Sequence, residues 1–354
     1  MKRNLSLLLV TALALSLLSG CGPKSSGSNS SVSSGSVSGS ASGSASSSSD
    51  VSQPSTADMV RFTVLSGPTG VGAAKLLADN ADSSAPTYNV TVATANDQVT
   101  ADLIGPNPST DIAALATNVA ANLAAKTDGG IQVLAVNTLG VLYILEKGDT
   151  VHSIADLQGK TLYATGQGAN PEYVLDYLLT QNKVDPAQVD IQWLTAQEIT
   201  AKMTSADKAI CMLPVPAATA LMLQDTGIRQ AVSLSEEWDK LDQGSLPMGC
   251  VVARTQFIEE QPQAVEEFLT QYQASIAYMN DPANLDAAAK LVARFELTPN
   301  ETIAAKAIPQ CNLTFLTGED MKNMLEEYYQ VLFQADPAAI GGSMPYDSFY
   351  YGVG

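Results

Sequence analysis

Two glycine-rich turns hold the residues of this chain whose types and spacing could do chemistry. Ser66-Gly67-Pro68-Thr69-Gly70-Val71-Gly72 follows the apolar run Val60–Leu65 and leads into Ala73, Leu76 and Leu77 at helical spacing. Thr165-Gly166-Gln167-Gly168-Ala169-Asn170 follows Thr161–Ala164 and leads into Pro171-Glu172, a helix-start signal. A turn between a strand and a helix offers backbone N–H groups at the positive end of the helix, where they can hold an oxyanion or a carbonyl. A plain tight turn has the same pattern, and Asn170 reads equally as a helix cap or a ligand contact. The first turn lacks the Lys-Ser/Thr of a phosphate loop, and Gly166-x-Gly168 is too short for a dinucleotide signature.

Other polar residues stand where apolar segments start or stop. Thr117 and Asn118 interrupt an Ala/Leu-rich stretch, Asn137 and Thr138 end the run Ile131–Val136, and Pro214 closes Ala209–Leu213. Polar groups at the end of a buried strand need partners, from ligand or from backbone. In open α/β sheets ligands lie beyond the carboxyl ends of the strands. The candidate ligand-binding set is therefore Ser66, Gly67, Pro68, Thr69, Thr117, Asn118, Asn137, Thr138, Thr165, Gln167, Gly168, Asn170 and Pro214.

Catalysis has little to stand on. His152, the one histidine, precedes a Ser-Ile-Ala-Asp turn and reads as a surface residue. No Gly-x-Ser-x-Gly elbow, His-Glu-x-x-His helix or Walker loop occurs. No catalytic residue, cofactor or metal is expected. Cys211, Cys250 and Cys311 form neither a disulfide framework nor a zinc pattern and read as buried thiols, although a pair among them stays open.

The elements that must position these residues alternate. Strands are expected at Val60–Leu65, Tyr88–Ala93, Ile131–Val136, Gly140–Leu145, Thr161–Ala164, Ile191–Leu194, Ala209–Leu213 and Gly249–Ala253. Ala114–Ala125 is helical by composition, and Thr195-Ala196-Gln197-Glu198 has capping-box spacing. Helices Pro262–Met279 and Asp320–Phe333 carry apolar stripes at helical spacing. Strand–helix alternation in two blocks, each opened by a glycine-rich turn, gives an α/β fold of two lobes facing each other across a cleft.

The N-terminal part is of another kind. Lys2 and Arg3 precede an apolar stretch from Leu5 to Leu18, about 14 residues against the ~20 needed to span a bilayer. Leu18-Ser19-Gly20-Cys21 follows, so residues 1–20 read as a lipoprotein signal peptide and Cys21 as the lipidated residue. An ordinary signal peptide with an incidental Cys21, or a short anchor helix, is the alternative. Residues 21–59 are mostly Ser and Gly, a flexible tether with a reach of roughly 30–35 Å. With 18 basic and 36 acidic residues the net charge is −18, which excludes nucleic acid and anionic lipid headgroups as partners of the surface.

The lipoprotein start and Ser-rich tether resemble those of bacterial solute-binding lipoproteins of ABC importers. Ser153-Ile154-Ala155-Asp156-Leu157-Gln158-Gly159-Lys160, Gly166-Gln167-Gly168-Ala169-Asn170-Pro171-Glu172, Met212-Leu213-Pro214-Val215-Pro216 and Gly249-Cys250-Val251-Val252 before the Pro262 helix stand in the order found in that family. The subgroup is similar to nitrate, alkanesulfonate, taurine and thiamine-pyrimidine binding proteins, over about residues 60–350. The resemblance implies a type II periplasmic-binding-protein fold, with lobe 1 at residues 60–145 and 250–354, lobe 2 at 146–249, and crossings near Glu146 and Gly249. It implies a monomer, lipid-anchored to the cell membrane on its extracytoplasmic face. There it captures a small molecule, a sulfonate- or nitrate-like anion or a pyrimidine-type compound, and delivers it to an ABC permease. Many relatives grip a charged ligand group with an acid or an Arg, whereas the corresponding loops here are neutral and polar. An enzyme on the same fold, related to thiamine-pyrimidine synthesis, and a surface interaction protein without transport are the alternatives.

Overall fold

The computed structural model describes residues 59–353. The signal peptide, Cys21 and the tether up to residue 58 lie outside the described residues. Along the chain, β1 (Val60–Leu65) is followed by α1 (Pro68–Val71), α2 (Ala74–Asp82), β2 (Tyr88–Ala93), α3 (Asn96–Ile104), β3 (Ile112–Ala116), α4 (Thr117–Thr127) and β4 (Ile131–Thr138). A middle block follows: β5 (Leu142–Lys147), β6 (Thr161–Ala164), α5 (Asn170–Gln181), β7 (Asp190–Trp193), α6 (Ala196–Ser205), β8 (Ala209–Pro214), α7 (Ala217–Gln224), β9 (Ile228–Ser233) and α8 (Leu234–Asp239). The last block is β10 (Gly249–Arg254), α9 (Thr255–Glu260), α10 (Pro262–Asn280), α11 (Leu285–Arg294), α12 (Glu301–Ala307), β11 (Leu313–Leu316) and α13 (Gly318–Ala335).

The strands form two sheets. One has six strands in the order β11-β4-β10-β3-β1-β2, built from the first and last blocks, and the other has five in the order β7-β6-β8-β5-β9, all from the middle block. β1 runs parallel to β2 and β3, and β10 lies antiparallel between β3 and β4. In the second sheet β6 runs parallel to β7 and β8, and β5 lies antiparallel between β8 and β9.

This topology moves one crossing. β5 pairs along its whole length with β8, from Leu142↔Pro214 to Lys147↔Ala209. The chain therefore passes to the second sheet at Leu139–Val141, before the expected point near Glu146. Glu146 is instead buried inside the second sheet, where Arg229 Nη2 donates to it at 2.6 Å and Thr150 and Val151 donate through their backbone N–H groups. Burial alone would raise its pKa; the hydrogen bonds of Thr150 and Val151 and the Arg229 charge hold it below the ordinary value.

A second difference concerns Ala114–Ala116. Alanine favours helix, yet these residues form the end of β3, because the strand lies at the centre of its sheet and is buried on both faces. Ala113 and Leu115 pack toward α4 and α13, while Ile112 and Ala114 pack toward α2 and α10, the period-two alternation of a strand. On the α10 side, Phe62, Phe268 and Tyr272 interlock, with Phe62 and Phe268 at 5.0 Å between ring centroids. The second sheet packs one face on α5 through Leu162, Met212, Val174 and Leu178, and the other on α6 and α7 through Leu145, Cys211, Met203 and Leu221.

Candidate functional site

The carboxyl ends of β1, β2, β4, β6, β7 and β8 open on one cleft of about 1290 Å³ between the two sheets. Ser66–Thr69, Thr94–Asp97, Thr138 and Glu296–Pro299 line it from the first sheet's side. Thr165–Pro171, Leu194–Gln197 and Pro214–Ala217 line it from the second. The strand-end rule explains why: each strand terminates in a turn into a helix, and both sheets turn those ends inward.

The turn after β1 leaves its side chains uncommitted. Ser66 N–H donates to Ala93 O, and the N–H groups of Gly70 and Val71 both return to Gly67 O. Gly67 sits at φ +100°, which a side chain would strain. The hydroxyls of Ser66 and Thr69 make no hydrogen bond among the described residues and stand at the cleft wall. Thr138 also reaches the cleft; its Oγ1 is fully buried and has no partner among the described residues.

The turn after β6 is built differently. Gly168 N–H donates to Glu172 Oε2 at 2.6 Å, so a carboxylate already occupies that donor. Asn170 is not the helix cap; Ala169 holds that position, and Asn170 is the first helical residue, fully buried. Its Nδ2 donates to Thr117 Oγ1 at 2.9 Å and to Met248 O at 2.8 Å. Its Oδ1 accepts from Tyr328 OH at 2.9 Å and from the Asn118 N–H at 3.3 Å. One side chain of the middle block is thus bonded four times to the first and last blocks.

Of the candidate set, Ser66, Gly67, Pro68, Thr69, Thr138, Thr165, Gln167, Gly168, Asn170 and Pro214 lie on the cleft wall. Thr117, Asn118 and Asn137 do not; they sit behind it. Thr117 Oγ1 donates to Pro247 O at 2.8 Å, Asn118 Nδ2 donates to Ala339 O at 3.3 Å, and Asn137 Nδ2 donates to Tyr272 OH at 2.8 Å. Their partners come from backbone and from neighbouring helices, the second of the two sources that buried polar strand ends can draw on. The cleft also takes residues the sequence reading missed. Thr94, Asn96 and Asp97 follow β2, and Thr195 and Gln197 follow β7; the strand-end rule applied to those two strands would have found them. Glu296 and Thr298 come from the link between α11 and α12, for which no local signal exists.

The remaining reactive groups are quiet. His152 is 63% exposed at its side chain, with Nε2 at 3.6 Å from Asp149. The three cysteines are free and buried, and burial pushes the thiols of Cys211 and Cys311 up to about 12. Among the described residues no group of three or more His, Cys, Asp or Glu could hold a metal ion.

Two α/β sheets joined by two crossings, with strand ends facing one cleft, define the type II periplasmic-binding-protein fold. Residues 102–284, more than half of the chain, match the family described as NMT1/THI5 like, and the chain belongs to that family. No curated protein matches it. Among solved structures it is similar to an ABC transporter protein from Parabacteroides distasonis, with TM-score 0.68 and 22% identity over 83% of this chain and 98% of that one. It is similar as well to the periplasmic aliphatic sulphonate binding protein SsuA of Escherichia coli, with TM-score 0.64 and 15% identity over 80% and 94%. The periplasmic nitrate-binding protein NrtA of Synechocystis PCC 6803 follows with TM-score 0.51 and 14% identity over 67% and 66%. Family and fold are those of solute-binding components of ABC import systems, which bind rather than transform.

Proposed function

We propose that this protein is the solute receptor of an ABC importer. It acts as a monomer held by acyl chains on Cys21 at the extracytoplasmic face of the membrane. A small polar molecule enters the cleft, the lobes close over it about Leu139–Val141 and the segment before Gly249, and the closed form docks on the permease. The observation that carries this reading is the single cleft lined by strand ends of both sheets, since a ligand touching both walls biases lobe closure. Two ligand classes fit its size and its neutral polar lining: a small oxyanion of the nitrate or sulfonate kind, and a nitrogenous compound of the pyrimidine kind. No helix among the described residues is long and apolar enough to cross a membrane, so anchoring rests on Cys21.

The test is a thermal-shift and calorimetric screen of the purified protein with sulfonates, nitrate, pyrimidines and amino acids. A true ligand at a hundredfold excess over Kd stabilises by about 2.7 kcal/mol. The bound compound is then recovered and examined by mass spectrometry; release unaltered is expected, and turnover would replace the receptor reading with an enzymatic one. Cys21→Ser should leave the protein out of the membrane fraction, and acylated, anchored mutant protein would refute the anchor.

A further inference from the structure

We infer that the ligand of this cleft is a small organic cation, bearing an ammonium-type nitrogen, and not an oxyanion. The inference rests on the receptor reading and concerns the charge that the cleft accepts.

The ionisable side chains on the inner wall are Asp97 and Glu296, both exposed at the first sheet's side; no Lys, Arg or His lines the cleft. An anion drawn from water into such a cleft finds no countercharge, and desolvating an unpaired charge is expensive. Helix N-termini could substitute, as partial positive charges. Three of the helices that open on the cleft carry an acid in their own first turn: Asp97 in α3, Glu172 in α5 and Glu198 in α6. Two of these acids already take the donors an anion would need. Glu172 accepts from Gly168 N–H at 2.6 Å, and Glu198 accepts from Thr195 N–H at 2.9 Å and from Thr195 Oγ1 at 2.8 Å. Only α7 starts without such an acid.

A separate observation points to a ligand group in the interior. Thr138 Oγ1 is buried, unpartnered and on the cleft wall, and a hydroxyl can accept an N–H as well as donate. Carboxylates accept only, so Asp97, Glu296 and this hydroxyl together suit a donor-rich ligand. The −18 net charge would also draw cations toward the molecule.

The experiment titrates the full-length protein, by thermal shift and calorimetry, with ammonium probes (choline, putrescine, benzylamine), anionic probes (nitrate, ethanesulfonate) and neutral probes (urea, glucose). The expected result is binding of at least one ammonium probe, weakened by added salt and weakened about five- to twentyfold in the Asp97→Asn/Glu296→Gln double variant. The variant should keep its unfolding midpoint, because both side chains are exposed. Binding of an anionic or only a neutral probe overturns the cation assignment while leaving the receptor reading intact. Binding of an ammonium probe that is indifferent to the double variant and to salt overturns it too. Binding of no probe of any charge overturns the cation assignment, and the receptor reading falls as well only if the sulfonate, pyrimidine and amino-acid screen is also blank.

Discussion

The two glycine-rich turns look alike in sequence and do different work in the fold. The turn after β1 closes on itself through Gly67 O and leaves the Ser66 and Thr69 hydroxyls facing the cleft. The turn after β6 has its Gly168 donor taken by Glu172 and sends Asn170 across to Thr117, Asn118, Met248 and Tyr328. One turn is free to read a solute; the other bolts the two sheets together at the cleft floor. A shared turn signature therefore reports a local backbone shape, and the partners of its side chains report the role.

The largest expected effect breaks the bolt. Asn170→Ala leaves Thr117, Met248 O, Tyr328 OH and the Asn118 N–H short of a buried partner, and should cost about 2–4 kcal/mol of stability by urea unfolding. Ser66→Ala should leave stability within about 0.5 kcal/mol. Equal losses at the two positions would erase the contrast.

Within the second turn the two glycines should separate. A Cβ at Gly166, at φ +90°, would lie 2.5 Å from Pro171 Cγ, whereas one at Gly168, at φ +74°, meets nothing within 4 Å. Gly166→Ala should cost roughly 2–3 kcal/mol, from backbone strain plus the clash. Gly168→Ala should cost about 1 kcal/mol, from the backbone alone. Differential scanning of both variants decides it.

Asp176 probes the side of α5 turned away from the cleft. It lines a smaller groove with Tyr173, Tyr177, Leu332 and Asp336. Burial first, then the charges of Glu172 and Asp336, push its pKa up from 3.8 to about 6. A raised folded-state pKa means that the stabilising contribution is full below 3.8 and is lost as the pH rises through about 6. Asp176→Asn should therefore stabilise the protein at pH 7, by about 1 kcal/mol after discounting for solvent screening. The gain should vanish below pH 3.8. A gain independent of pH would assign the effect to packing.

The smallest effect on folding belongs to Thr138. Its Oγ1 already lacks a partner, so Thr138→Val should change stability by no more than about 1 kcal/mol, in either direction. If the hydroxyl meets the solute, the same variant should weaken binding by calorimetry; unchanged affinity would leave Thr138 as wall.

Most strands were legible because their signals are local. Val60–Leu65 and Tyr88–Ala93 form strands at the bounds their patterns indicate, and the Thr195 capping box opens α6 as its spacing requires. β9 and β11 were not legible: Ile228-Arg229-Gln230-Ala231-Val232-Ser233 is half polar, and Leu313–Leu316 is a four-residue edge strand. Both exist because a neighbouring strand offers them a ladder, and that neighbour lies far away in sequence.

By itself, the sequence determined the α/β alternation, the two turns and their placement at strand ends, because periodicity and turn chemistry act over a few residues. The tertiary structure decided which polar residues meet the cleft and which hold the wall. Thr138 and Asn137 are adjacent on β4 and point to opposite sides of the sheet, one to the cleft and one to Tyr272 of α10. Asn170 became a tie between sheets because Met248 and Thr117 arrive beside it from 78 and 53 residues away. Glu296 and Thr298 reached the cleft from a link between helices. Each of these outcomes depends on the packing of distant segments, and a local pattern contains no record of what will be packed against it.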